Sequence, residues 1–566
     1  MQKNILSVLL LLSCFYGFAQ PAYHKHWGVK TDYSHSGAGY GNSFMTDDAR
    51  LFECSSTSNQ VRVSDLPNTE PQVWASIGSD SNTSIMNIDF DEQGNVYVMG
   101  ITTASEGFAT ASVYKSDFDW NLANQTNGSN GFVAKFDAQG ELVWSTYAES
   151  HYIGGYQRKA ITVDDNGNVY YTAAIANTEV IPDAPFQSTS NPEDYLSDEN
   201  YFTPILVKLN GDGELVWRTF FSHHQTMIRE IAVTQNKLVV YGQVVKQFPH
   251  EVDPTFFSTD GALIENPYQD GSSDLFRAFV NVFNFDGTRD WGTYMKDGYT
   301  SPSALKVLRT SGSNFYIMHD NNTFPLHENP YMEVDDSDVV ITKFGEEGTH
   351  YWSLPTHVSN FVVDDQEQIY LFDTTEETQG YATEDAYQPE KYSGMNTDAF
   401  HHIVSSDGSE LLYGTYYGYE GNETTSMIWP ITNGYISLEV TQNNSSADNF
   451  ITQGEPLNET FSGGSYHGRV LTLFSDKPTS STIHKLENVT LYPNPVTDRL
   501  FIEHTEGFTV ADSIEVYNVL GECIMQKNNM VDNQIISLDT SSWDRGYYLV
   551  KVKSNNKIGT YKVVKK

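Results

Sequence analysis

Gly131-Phe-Val-Ala-Lys-Phe-Asp-Ala-Gln-Gly-Glu-Leu-Val-Trp-Ser-Thr-Tyr147 and Pro204-Ile-Leu-Val-Lys-Leu-Asn-Gly-Asp-Gly-Glu-Leu-Val-Trp-Arg-Thr-Phe220 are two copies of one pattern. Each is a pair of alternating apolar runs joined by a short Asp/Asn/Gly turn, which reads as a β-hairpin. The turn needs glycine because its backbone must reach positive φ. Further copies run from Phe279 to Tyr294, Val340 to Leu354 and Asp398 to Tyr416. Trp144, Trp217, Trp291 and Trp352 share one position in the second run, and Tyr413 takes it in the last copy. Such a ring buries a large area where neighbouring sheets stack.

A second strand–turn–strand element precedes each hairpin. It is clearest at Ile88-Asp-Phe-Asp-Glu-Gln-Gly-Asn-Val-Tyr97 and Ile161-Thr-Val-Asp-Asp-Asn-Gly-Asn-Val-Tyr170, and weaker at 231–241, 308–316, 361–370 and 429–436. Successive tryptophan positions are 73, 74, 61 and 61 residues apart. Four strands per unit at that period, with no stretch of helical periodicity, predict an all-β fold: a β-propeller of four-stranded blades. The sixth unit has a third strand at Gly468–Phe474 but no Trp-bearing fourth strand. Gln72-Val-Trp74-Ala-Ser-Ile77 is a fourth strand without a unit, so the expectation places Trp74 beside Phe474 in one sheet. Six blades is the preferred count, with seven if residues 23–66 contribute strands.

The pattern Ile-x-x-Asp-x-x-Gly-Asn-Val-Tyr, then Ala386-Tyr387-Gln388, then Asp398-Ala-Phe400 and the Trp-x-Thr-Tyr strand, resembles the bacterial β-propeller repeat called SBBP over roughly residues 70–475. Variants of the middle part stand at Pro185-Phe-Gln187 and Pro267-Tyr-Gln269. The resemblance implies a propeller of six to eight blades and carries no catalytic residues.

The 566 residues hold 33 Lys and Arg against 73 Asp and Glu, a net charge of −40. This excludes nucleic acid as a natural partner, because binding there rests on basic side chains neutralising phosphates. It also disfavours anionic membrane surfaces and polyanionic substrates. Residues 486–566 hold ten acids and nine bases, so residues 20–485 carry the whole deficit. Solubility accounts for the acidity, with divalent-cation binding as the sharper alternative. Cys14, Cys54 and Cys523 form neither a disulfide framework nor a zinc pattern. Lys3, the apolar run Ile5–Leu12 and Gly17-Phe-Ala19 read as a signal peptide over 1–19, cleaved before Gln20. A lipoprotein signal acylated at Cys14 is the competing reading. No stretch approaches the 18 apolar residues of a transmembrane segment.

The expected domains are an N-terminal segment at 20–66, the propeller at 67–480 and a small C-terminal β-sandwich at 486–566. In the last, Leu500–Glu503, Ser513–Tyr517, Ile535–Leu538 and Tyr547–Val552 alternate as strands. Tyr492-Pro-Asn-Pro495, Val516-Tyr-Asn-Val-Leu-Gly521, Gly546-Tyr-Tyr-Leu-Val-Lys-Val552 and Lys562-Val-Val-Lys-Lys566 resemble the type A C-terminal sorting domain of the type IX secretion system in Bacteroidota. The resemblance implies export, the secretion machinery as a partner, and a secreted or outer-membrane-surface location.

No zinc-protease, nucleophile-elbow or phosphate-loop motif is present, and Gly37-Ala-Gly-Tyr-Gly41 reads as a loop. No catalytic or cofactor-binding residue is assigned. His24 with His26, His223 with His224, and His401 with His402 are the histidine pairs to weigh as metal ligands. Adjacent histidines on a strand face opposite ways, which argues against the last pair. The acidic turns at 164–168, 210–213 and 335–338 could offer oxygen ligands to calcium, although Asp, Asn and Gly dominate turns anyway. Ligand specificity is expected in the long loops near 103–129, 178–203, 243–273, 320–337 and 373–397, where Trp120, Tyr195, Tyr201 and Phe256 are aromatic candidates. The sequence favours a non-enzymatic exported propeller that binds glycan or protein. A secreted polysaccharide hydrolase or lyase is the alternative, and a purely structural surface component is a third reading.

Overall fold

The repeated turn is built around its first residue. The Asp164 carboxylate accepts the backbone N–H groups of Asn166 at 3.0 Å and Asn168 at 2.9 Å, the Asn168 amide at 2.9 Å and the Tyr170 phenol at 3.0 Å. Asp91 binds Gln93, Asn95 and Tyr97 in the same way. Asp364 repeats the arrangement with Gln366, Gln368 and Tyr370. The Asp…Gly-Asn-x-Tyr spacing therefore places one acceptor under two turn amides and a phenol on the returning strand. Gly94 and Gly167 stand at φ 79° and 73°; in the third copy Glu367 takes φ 62°. Its carboxylate is held by Lys343 at 2.5 Å and Asn314 at 2.6 Å.

The computed structural model describes most of residues 24–566. Residues 1–23, the segments 31–42, 150–158, 190–201, 246–254, 267–275, 296–306, 442–467, 476–488 and 505–512, and shorter stretches elsewhere lie outside the described residues. The signal peptide, Gly37–Gly41, Tyr195, Tyr201, His224 and the 335–338 turn fall among these. The chain divides into two compact units, Met1–Lys477 and Pro478–Lys566.

The first unit contains seven four-stranded antiparallel sheets among its described residues. The first sheet is Ser43–Met45, Arg50–Cys54, Gln60–Asp65 and Gln72–Ser76. The second is Thr83–Phe90, Val96–Thr102, Asn130–Phe136 and Leu142–Ala148. The third is Ile161–Val163, Val169–Ala176, Phe202–Leu209 and Leu215–Phe220, and the fourth is Gln225–Val233, Lys237–Val245, Phe276–Asn284 and Arg289–Tyr294. The fifth is Val307–Ser311, Asn314–Asp320, Val339–Gly345 and His350–Thr356; the sixth is Asn360–Val363, Ile369–Thr375, Asp398–Val404 and Leu411–Tyr417. The seventh takes Glu423–Ile431, Gly434–Thr441 and Gly468–Ser475 from the end of the unit and its fourth strand, His24–Lys30, from the start.

That last pairing corrects the sequence expectation. Gln72–Ser76 lies against Gln60–Asp65, and Phe474 is flanked by Lys25 and Tyr435. Three strands between Ser43 and Asp65 give Trp74 a sheet of its own, and they lack the Asp/Gly turn signature that marks the other units. The sequence pattern also predicts no helix, whereas the described residues include one short helix, Trp120–Gln125, which Asp119 caps by accepting the Leu122 N–H at 3.0 Å.

Buried apolar clusters join the sheets in chain order. One of them packs Met45 and Leu51 of the first sheet with Met427, Trp429, Ile436 and Leu438 of the seventh. In each of the second to sixth sheets a β-bulge falls just before the Trp/Tyr position, at Val143, Val216, Asp290, Tyr351 and Leu412. A bulge re-aims the following side chain. The indole N–H of Trp144 reaches Gly211 O of the next sheet's turn at 2.9 Å, Trp217 reaches Phe285 O at 3.0 Å and Trp291 reaches Glu346 O at 2.9 Å.

The outer strands are capped by their own loops. Lys115, Gln187, Ile264 and Gln388 each donate a backbone N–H, at 2.8–2.9 Å, to the threonine of the Trp-x-Thr strand: Thr146, Thr219, Thr293 and Thr415. Their carbonyls accept the next residue's N–H. An exposed strand edge is a template for unwanted pairing, and these loops cover part of it.

The second unit holds a three-stranded sheet, Val489–Tyr492, Arg499–His504 and Ile535–Asp539, and a four-stranded one of Cys523–Asn528, Ser513–Tyr517, Gly546–Ser554 and Lys557–Lys565. Alternate residues of both sheets, including Leu500, Ile502 and Leu538 with Val516, Val550 and Val563, share one core. No helix of the described residues is long and apolar enough to cross a membrane.

Candidate functional site

Charged residues buried between sheets are the first candidates for chemistry. Glu149, which follows the last strand of the second sheet, is 1% exposed. It accepts hydrogen bonds from the phenols of Tyr114 and of Tyr171 (2.8 Å) and pairs with Lys115 at 3.1 Å and Arg218 at 3.2 Å. Burial pushes its carboxyl up, but Lys115, the two phenols and Arg218 outweigh that and bring it down to about 2. The carboxylate is thus a fixed anion that ties the second sheet to the third.

Two further carboxylates make the same kind of tie. Asp89 binds Lys159 Nζ and the Val163 N–H, both at 3.1 Å. Glu230 binds Arg309 and the Leu308 N–H at 3.0 Å. Each spans consecutive sheets, from a first strand to the next sheet's first strand or the residues just before it.

His401 and His402 point to opposite faces of the sixth sheet, as the strand geometry requires. His401 meets Thr425 Oγ1 at 2.8 Å and Tyr435 OH at 3.1 Å on the seventh sheet. His402 meets Tyr381 O at 2.8 Å and the phenol of Tyr331 at 3.3 Å on the other side. Burial holds the His402 imidazole down at about 4, so it is neutral near pH 7. His223 lies buried near Phe256. His24 lies opposite Ser475 in the backbone register, and His26 falls at the register shift between Lys25 and Trp27. Among the described residues no three His, Cys, Asp or Glu side chains converge as a metal centre.

The acidic turns at 164–168 and 210–213 spend their first side chain on their own backbone. Asn210 accepts the N–H groups of Asp212 and Glu214, as Asp164 does in its turn. Of the aromatic candidates, Trp120 is 64% exposed on its short helix. Phe256 is instead packed among Phe186, Phe221 and Phe257, in the apolar cluster that joins the third and fourth sheets. Sequence reasoning missed Glu149, because a single Glu after a strand carries no pattern.

In the second unit the two ends of the resemblance meet. The Asn494 side chain of Tyr492-Pro-Asn-Pro495 accepts the Val564 N–H at 2.9 Å. Val496 then donates to Val564 O at 2.7 Å and accepts from Lys566 N at 3.0 Å. Both prolyl bonds of this motif are cis. The motif therefore clasps the final residues of the chain against the sandwich.

Residues 490–566 match the family model of the secretion system C-terminal sorting domain. This unit is a type IX sorting domain, and its presence marks the chain for secretion by that system. No curated protein matches the chain. Among solved structures, a member of the DUF4221 family from Bacteroides vulgatus is similar over 81% of this chain and 99% of its own, at 7% identity and a TM-score of 0.34. Streptogramin B lyase is similar over 62% of this chain and 94% of its own, with 10% identity and a TM-score of 0.29. TolB from Acinetobacter baumannii is similar over 67% and 66%, with 9% identity and a TM-score of 0.26.

Proposed function

We propose that the first unit is a closed seven-bladed propeller of the SBBP-repeat type, exported behind a signal peptide and displayed at or released from the cell surface as a non-enzymatic binding scaffold for a glycan or protein ligand. Closure is supported by the His24–Lys30 strand on Gly468–Ser475 and by the core shared between the first and seventh sheets. The observation that carries the binding reading is the use made of the buried ionisable groups. Catalytic sites set such groups apart for reaction; here the buried Glu149, Glu230 and His402 and the part-buried Asp89 are all hydrogen-bonded or ion-paired to neighbouring sheets or loops. Specificity then belongs to the long loops, as the sequence suggests. The test is a glycan-array screen of the secreted chain, with and without calcium, beside a polysaccharide-degradation assay. Saturable binding without product supports the reading. Degradation abolished by one carboxylate substitution would defeat it.

A further inference from the structure

We infer that the outer edge of Gly468–Ser475 is a strand-acceptor site, and that its exchangeable occupant is the His24–Lys30 strand of a second copy of this chain. The inference rests on the ring-closing pairing described above.

His24–Lys30 is unlike the other six outermost strands. Those follow in sequence the strand they pair with, separated from it by at most six residues. His24–Lys30 is paired with residues some 440 positions away in sequence, from His24 opposite Ser475 to Lys30 opposite Val470. Twelve residues, 31–42, separate it from the first sheet. A connection of that length spans up to about 40 Å, so it allows the strand to reach an edge other than its own. It also gives the strand an effective concentration of the order of millimolar at its own edge. Dilute chains therefore close on themselves, and crowded chains can trade strands, because the exchanged pairing has the same sequence and register as the closed one.

Charge sets when the trade occurs. His-Lys-His-Trp-Gly-Val-Lys contains two lysines and no acid, within a unit whose acids outnumber its bases by 40. The basic strand is attracted to its own acidic body, while two such bodies repel each other. Salt weakens both effects, since the screening length falls from about 30 Å at 0.01 M to about 3 Å at 1 M. Exchange should rise with ionic strength. With the strand withdrawn, Arg469-Val-Leu-Thr-Leu-Phe474 becomes an edge strand, four of its six residues apolar, with a row of N–H and C=O groups open to pairing by another strand.

The test uses the full chain with Cys14, Cys54 and Cys523 replaced by serine. Val29 and Leu471 are register partners. One preparation carries Val29→Cys and Leu471→Cys in the same chain; a second mixes chains that each carry one of the two. Under oxidation, the single-chain pair should bridge within the monomer. In the mixture, a disulfide-linked heterodimer should be a trace below about 10 µM and several-fold more abundant as concentration approaches the millimolar range, rising again with salt. A bridged single chain with no heterodimer at any concentration or salt overturns strand exchange and leaves ring closure standing. Failure of the single-chain bridge contradicts the pairing itself, and strand exchange falls with it.

Discussion

At the scale of single residues, Glu149, Asp89 and Glu230 each hold two neighbouring sheets together. Removing one partner of a buried ion pair costs about 3–5 kcal/mol, because the remaining charges stay buried without compensation. Glu149→Gln should therefore lower the unfolding free energy by roughly that amount, measured by urea denaturation. The pH dependence has two stages. His402 titrates at about 4 in the folded chain against 6.5 in the unfolded one, so its contribution is complete above pH 6.5 and is lost as pH falls through 4. Glu149 lies at about 2 against 4.5, so its contribution is complete above pH 4.5 and is lost as pH falls towards 2. Urea midpoints taken from pH 7 to pH 3 should fall throughout. His402→Gln should flatten the upper stage only, and an unchanged slope between pH 6.5 and 4 would remove His402 from the account.

At the scale of the element, the hairpin turn and the preceding sheet's tryptophan form one joint. A side chain on Gly213 would meet the Trp144 ring at 2.8 Å, and the residue sits at φ 80°. Two residues away Gly211 has free space to 3.6 Å and no positive φ. Gly213→Ala should cost about 2 kcal/mol, combining a left-handed backbone with a clash, and Gly211→Ala a few tenths. Equal effects from the two substitutions would contradict the docking of Trp144 on this turn. This joint was legible in the sequence, because Gly and Trp recur at fixed spacing. The carboxylate under the turn was legible as well, though the sequence could not say that the phenol two residues past Asn is its partner.

At the scale of the whole molecule, what could be read depended on whether a sheet carries the repeated turn. The second to sixth sheets announce themselves through both hairpins. The first sheet does not: Ser43–Met45, Arg50–Cys54 and Gln60–Asp65 have no Asp/Gly signature, so Trp74 looked like a strand in search of a sheet. Without those strands, the nearest vacancy was beside Phe474. Pairing across some 440 residues is set by which edges remain once local hairpins form, and no local pattern encodes it. The sorting domain was legible throughout, because its marks are short and in order, and the clasp from Asn494 to Val564 explains why the first and last of them belong together.

The most direct measurement of the central claim is amide hydrogen exchange across residues 468–475, in the full chain and in a chain lacking residues 24–30. In an antiparallel strand flanked on both sides, alternate residues bond to opposite neighbours. Deleting the N-terminal strand should release about half of the slow amides in that segment and leave the rest protected by Gly434–Thr441. Identical protection in the two chains would mean that the start of the chain does not complete the seventh sheet.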